Sequence, residues 1–254
     1  MTRIKSVVAA VVLAAVSGAL ADQARAATAL TAESAAVVVR GTFVIAGTKF
    51  VLPSEVVAVG SAPPAYSKKK LLSSYSKTTT LPEDTTLVVK SGTIINSAAS
   101  KGQVGTQITA TANALIDAAS GTLTNAIVGQ VLSISATNVT SSAHFTKSTS
   151  GTVSYGGKTS LTALAIDLNG FGGNQLTYTG KPVPNTVLYK STDGSVIVYL
   201  NRQVTGAGVP GAHGTSTPPK SFEVDAIDLH LTNAEAFGEV PVSGDFYVGT
   251  SYAN

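Results

Sequence analysis

From Ala35 onward, apolar residues come in short runs that alternate with Ser, Thr or Asn and stop at Gly, Pro or Asn. A two-residue period puts successive side chains on opposite faces of an extended strand, which helices of 3.6 residues per turn cannot do. The runs are rich in Val, Ile, Thr and Tyr, the residues that fit a pleated surface. Strands are expected at 35–45, 49–52, 86–89, 92–97, 107–114, 131–136, 139–145, 152–155, 161–168, 187–190, 195–204, 221–231 and 245–252. Only Ala112–Ala119 and Leu123–Val128 could be read as helix.

Two runs change phase. In Leu132, Ile134 and Ala136 the apolar set is even-numbered, and by Val139, Ala143 and Phe145 it is odd. Such a switch needs a bulge or corner, placed here at Thr137-Asn138. A second switch is expected near Asp225-Ala226, between Phe222/Val224 and Ile227/Leu229/Leu231. Strands that change face suit sandwiches and barrels. Asp193-Gly194 between Val187–Lys190 and Val196–Leu200 marks a hairpin, because the pair favours positive φ. Ser154–Lys158, with Gly156-Gly157, reads as a second turn. Two stretches read as loops: Pro63 to Thr80, which carries Lys68-Lys69-Lys70, and the Gly/Pro-rich Thr205 to Pro219. The expectation is an all-β, mainly antiparallel β-sandwich with Greek-key-like connections.

Residues 1–26 have the form of a secretory signal peptide. Arg3 and Lys5 form the basic end, and Val7 to Val16 is an unbroken apolar run too short to span a bilayer. Small residues fit cleavage after Ala21 or Ala26. Residues 27–34 read as a flexible N-terminus and 35–253 as a single β-domain. A secreted product, at the cell surface, in the periplasm or released, with no membrane association after cleavage, is expected.

Composition removes several classes of chemistry. There is no cysteine, so no disulfide framework, thiolate zinc site or cysteine nucleophile exists. Charged residues make up 12% of the chain, and the net charge of +3 includes Arg3 and Lys5. The remainder is near neutral and gives no electrostatic reason to seek nucleic acid. Trp is absent, which weakens a sugar-stacking reading.

Catalytic patterns are sparse. No Gly-x-Ser-x-Gly pentad occurs. Ser67–Lys70 and Ser74–Lys77 match Ser-x-x-Lys without the partner elements that chemistry needs, and Gly157-Lys158-Thr159 lacks the P-loop spacing. His144, His213 and His230 are the imidazoles available to a base, and each reads as solvated or locally hydrogen-bonded. No catalytic residue and no cofactor are assigned. The densest acidic group is Glu223, Asp225 and Asp228, with Asp245 added if the last two strands pair. Hard cations such as Ca²⁺ take carboxylates, so these four are the candidate metal ligands. Alternating strand residues facing water are the ordinary alternative.

The C-terminal end resembles the choice-of-anchor P family of bacterial exported proteins. Ser221–Leu231 resembles that family's Val-Asn-Ala-(Ile/Leu)-His-Val strand, and Ser243–Ala253 its closing Gly-Asp-Val-Val strand. Thr162–Asn169, Lys181–Thr186 and the hairpin from Val187 to Val204 fall in the family's order. Asp228 stands where the family has His. The chain stops after the last strand without an anchor, and the resemblance then implies a released or non-covalently held product. It carries no catalytic residues. The reading is a secreted, non-enzymatic β-domain with a surface, adhesion or matrix role, with a glycan- or Ca²⁺-binding domain as the alternative. Extracellular polymers or other surface proteins are the expected partners, and self-association by strand addition is open.

Overall fold

The computed structural model describes residues 32–52, 56–57, 61–62, 64–81, 84–102, 106–205, 222–236 and 240–253. The expected signal peptide, residues 27–31, His213 and most of the Gly/Pro-rich loop lie outside the described residues. Among the described residues, sixteen strands follow one another along the chain. They are β1 (Ala32–Ile45), β2 (Thr48–Leu52), the two-residue β3 (Val56–Val57) and β4 (Ser61–Ala62), β5 (Tyr66–Leu72), β6 (Tyr75–Leu81), β7 (Thr85–Ser91) and β8 (Ile94–Lys101). The second half holds β9 (Ile108–Asn125), β10 (Gly129–Lys147), β11 (Val153–Asp167), β12 (Gln175–Gly180), β13 (Thr186–Lys190), β14 (Val196–Thr205), β15 (Phe222–Ala236) and β16 (Val240–Ala253).

They form two antiparallel sheets packed face to face. The first has the order β13-β14-β15-β16-β1-β2, with β3 and β4 also on β1. The second has the order β12-β11-β10-β9-β7-β6, with β8 on the other half of β9 and β5 outside β8. Neighbours within each sheet are mostly joined as a meander. The chain's long excursion through the second sheet returns to lay β16 against β1, the Greek-key-like feature. All-β architecture is thus what the alternation specifies.

Inward side chains from both sheets make one aliphatic core. Ile116, Ile134 and Ile166 of the second sheet meet Val198, Leu200, Ile227 and Leu229 of the first, each buried. Burying one such side chain is worth about 1.5–3 kcal/mol, which lets the fold stand without disulfides. A second cluster joins Ile108, Ala143 and Phe145 to Phe222 and Val224.

Both phase switches exist, and they line up. Asn138 has φ +47, and β10 turns two consecutive residues, Thr137 and Asn138, outward. In the neighbouring strands Asp117-Ala118 and Thr162-Ala163 sit at the same level, also outside the core. The first sheet does the converse. Asn201 (φ +50) and Gly249 (φ +65) both stand across from Ala226, since the flanking pairs are Leu200↔Ile227 with Arg202↔Asp225, and Val248↔Ile227 with Thr250↔Asp225. A Cβ on Gly249 would lie 3.2 Å from Val139 Cγ1 and from Ala226 Cβ. The two bends therefore abut across the core.

Four expectations need correction. Residues 112–119 and 123–128 are not helical: most belong to the 18-residue β9, whose inward face is the alternate set Ala112, Ala114 and Ile116. Thr111, Asn113 and Asp117 make the other face largely polar, with Leu115 exposed among them. Gly156-Gly157 is no turn but lies inside β11, because His144 and Val224 come too close for side chains there: a Cβ on Gly157 would sit 2.2 Å from Val224 Cγ2. The turn falls instead at Ser148–Thr152, with Gly151 at φ +81. The Lys-rich stretch read as a loop forms β5 and β6, paired in full register with β8 and β7. Finally, Ala32 and Glu33, placed in the flexible N-terminus, pair with Ala62 and Ser61.

Candidate functional site

Strand β15 is buried on both faces from Phe222 to Leu229. Phe222, Val224, Ala226, Ile227 and Leu229 belong to the core, and Glu223, Asp225 and Asp228 face away from the second sheet. That outer face holds three of the four carboxylates singled out from sequence, and pairing of β15 with β16 brings the fourth. Glu223 is opposite Tyr252, Asp225 opposite Thr250, Asp228 opposite Tyr247 and His230 opposite Asp245.

Each carboxylate has a local partner. Arg40 of β1 reaches across β16 to Glu223 and bonds Asp225 at 3.3 Å. Its guanidinium carbon lies 3.7 Å from the Tyr247 ring centroid, and Nε donates to Thr250 Oγ1 at 3.3 Å. Thr250 Oγ1 in turn donates to Asp225 Oδ1 at 2.5 Å. On the other side, Arg202 of β14 pairs with Asp228 and stands 5.4 Å from the Tyr199 ring centroid. His230 Nδ1 is 2.6 Å from Asp245 Oδ1, and its Nε2 is 3.0 Å from Thr232 Oγ1.

The electrostatics follow from burial. Asp225 and Asp228 are fully buried and Glu223 nearly so. Burial pushes the Asp228 carboxyl up to about 7, against the opposing pull of Arg202. Burial and the adjacent Asp225 raise Glu223 well above the carboxylate range, and Arg40 only partly offsets them. Burial opposes the charge of Arg40, but Glu223 and Asp225 outweigh it and its pKa rises. Burial next to Asp228 likewise raises the Tyr247 phenol.

The four candidate metal ligands thus occupy one face without converging on one point. Among the described residues, no group of three or more His, Asp or Glu side chains is disposed to hold a metal ion. The arginines fill the role a cation would have. Sequence reasoning found the carboxylates and missed Arg40 and Arg202, which alternation alone could have placed on the polar faces of β1 and β14.

The remaining motifs separate. His144 is exposed on the outer face of β10, against Gly156. Ser67–Lys70 lies within β5 and Lys77 within β6, on an edge rather than beneath a helix. Lys158 and Thr159 sit inside β11, Lys158 exposed and Thr159 buried against Asn201 at 3.2 Å.

The outer face of the second sheet carries two open grooves, one on each side of its bend. The larger, about 690 Å³, runs over small residues such as Ala118, Ser120, Ser135 and Ala165, between Lys90 and Thr179. The other, about 540 Å³, has Asn113, Leu115, Thr140 and Ser142 on its floor and Lys158 and Lys181 at its side. Neither is lined by a histidine.

No family model matches the chain, and no curated protein does. Among solved structures, it is similar to Ail, the attachment invasion locus protein of Yersinia pestis, solved in complex with the heparin analogue sucrose octasulfate. The match has 9% identity and a TM-score of 0.21, over 88% of this chain and 98% of that one.

Proposed function

We propose that this protein is a secreted, non-enzymatic surface module that attaches to extracellular polymers in an adhesive or matrix role. The observation that carries the reading is the shape of the second sheet. Strands β9, β10 and β11 are 18, 19 and 15 residues long and pair side by side. Their outward positions are dominated by Ser, Thr and Asn, and the grooves above them are open along the face. A wide, pleated, hydroxyl- and amide-bearing surface suits an extended chain better than a small substrate that must be enclosed. The signal-like N-terminus and the resemblance to exported choice-of-anchor proteins support the location.

The non-enzymatic part rests on where the titratable groups lie. His230 has a carboxylate and a hydroxyl at hand, but it lines neither groove. The glycan form of the alternative is favoured over the Ca²⁺ form, since Glu223, Asp225 and Asp228 are already matched to arginines and Asp245 to His230. The test is co-sedimentation of the full chain with insoluble cell-envelope and polysaccharide preparations. Retention in the pellet, unchanged by chelator and by His230→Ala, is expected. Failure to partition with any of them overturns the proposal.

A further inference from the structure

The ladder registers place one line of side chains straight across the second sheet. Lys69 pairs with Ser97, Ser97 with Asn113, Asn113 with Ser142, and Ser142 with Lys158. All five face away from the core, and Asn113 Nδ2 donates to Ser97 Oγ at 3.3 Å. Four inter-strand steps of about 4.8 Å separate the two ammonium-bearing strands, roughly 19 Å in all. The groove over Asn113 and Ser142 ends at Lys158 and Lys181. Lys181 is held there by its neighbour: the carbonyl of buried Pro182 accepts from Asn201 Nδ2 at 2.9 Å, and Asn201 is itself buried.

Charge segregates between the sheets. Strands β5 to β12 carry eight lysines against Asp117 and Asp167. Among the described residues, no carboxylate pairs with Lys69, Lys158 or Lys181, whereas the arginines of the first sheet are taken up by Glu223, Asp225 and Asp228. The second sheet therefore presents Lys69, Lys158 and Lys181 without a carboxylate partner among the described residues, spaced along rows of hydrogen-bonding groups.

We infer that this face binds an anionic polysaccharide, its carboxylate or sulfate groups on Lys69, Lys158 and Lys181 and its hydroxyls on the Ser97-Asn113-Ser142 row. The inference deepens the proposed surface role and rests on it. A polysaccharide fits better than a nucleic acid because single-stranded bases need aromatic rings to stack on. The aromatics of this sheet are engaged elsewhere: Tyr66, Tyr75, Phe145 and Tyr178 pack on the core clusters, and half-exposed Tyr155 stacks on Phe222 of the first sheet.

The experiment measures binding of the full chain to immobilised alginate, dextran sulfate, unmodified dextran and single-stranded DNA. Alginate and dextran sulfate separate carboxylate from sulfate recognition, and binding of either supports the inference. Binding should weaken about tenfold or more between low and high salt, as screening of exposed charges requires. The triple variant K69Q/K158Q/K181Q should weaken it roughly tenfold, as a few exposed charge contacts allow. A K49Q/K190Q control, on the first sheet, should not. Thermal melting checks that each variant folds. Equal binding of dextran and alginate, indifference to the triple substitution, or DNA bound as well as alginate overturns the inference while leaving polymer attachment intact. If no polymer is retained here or in the sedimentation test, both fall together.

Discussion

The guanidinium of Arg40 lies on the Tyr247 ring, 3.7 Å from its centroid, while its nitrogens hold Glu223 and Asp225. One cation from β1 thus neutralises two acids on β15, with β16 between them. Taking this arginine away would strand two buried carboxylates, and breaking a buried pair from one side costs about 3–5 kcal/mol. Arg40→Met is expected to lower stability by that order in chemical denaturation. Adding Glu223→Gln and Asp225→Asn should recover much of the loss, because the uncompensated charges go with them. Additive losses in the combined variant would show that the contacts are uncoupled.

Stability should depend on pH through Asp228 and Glu223, both of which titrate above the ordinary carboxylate range because they are buried. A carboxyl that binds its proton more tightly in the folded chain stabilises the fold fully below the unfolded value. That contribution is lost as pH rises, for Asp228 through about 7. The melting temperature is therefore expected to be higher near about pH 5 than near about pH 8, and Asp228→Asn should flatten the difference. A profile that climbs from acid to neutral would contradict the burial argument.

Gly157 and Gly151 separate close packing from turn conformation. A methyl group on Gly157 would meet Val224 Cγ2 at 2.2 Å and the Ser142 carbonyl at 2.6 Å, whereas Gly151, at φ +81, has nothing within 4 Å. Gly157→Ala is expected to cost about 1–3 kcal/mol or more by overpacking. Gly151→Ala should cost about 1 kcal/mol, from backbone conformation alone. Equal losses in urea titrations would show that the β11 glycine has no packing role.

The β5–β6 edge carries exposed Lys68 and Lys77. Lysines on an edge strand disfavour pairing with a second copy, since the added strand must bury or approach the charge. Lys68→Val with Lys77→Val is expected to raise light scattering on incubation without lowering stability by more than about 1 kcal/mol. A variant as monodisperse as the parent would place the guard elsewhere.

Period-two alternation made most strands readable, including the face change at Asn138, because a strand's own side chains report which side is dry. The same logic marked the switch at Asp225-Ala226. Local sequence failed where a distant contact decides the outcome. Gly156-Gly157 has the composition of a turn, and only the arrival of Val224 and His144 makes it a strand interior. Lys68-Lys69-Lys70 has the composition of a solvated loop, and only the edge position supplied by β8 makes it a strand. The carboxylates were visible as a cluster, but their partners were not. Arg40 is 183 residues from Glu223, and nothing in either segment announces the other.

By itself, then, the sequence determined the extended backbone, the dry and wet faces and the points where they exchange, because these follow from side-chain periodicity along one strand. The tertiary structure decided which cations meet which acids, and which lysines stand on one line across five strands. Those relations depend on strand order and register, which are fixed only when the two sheets close over a common core.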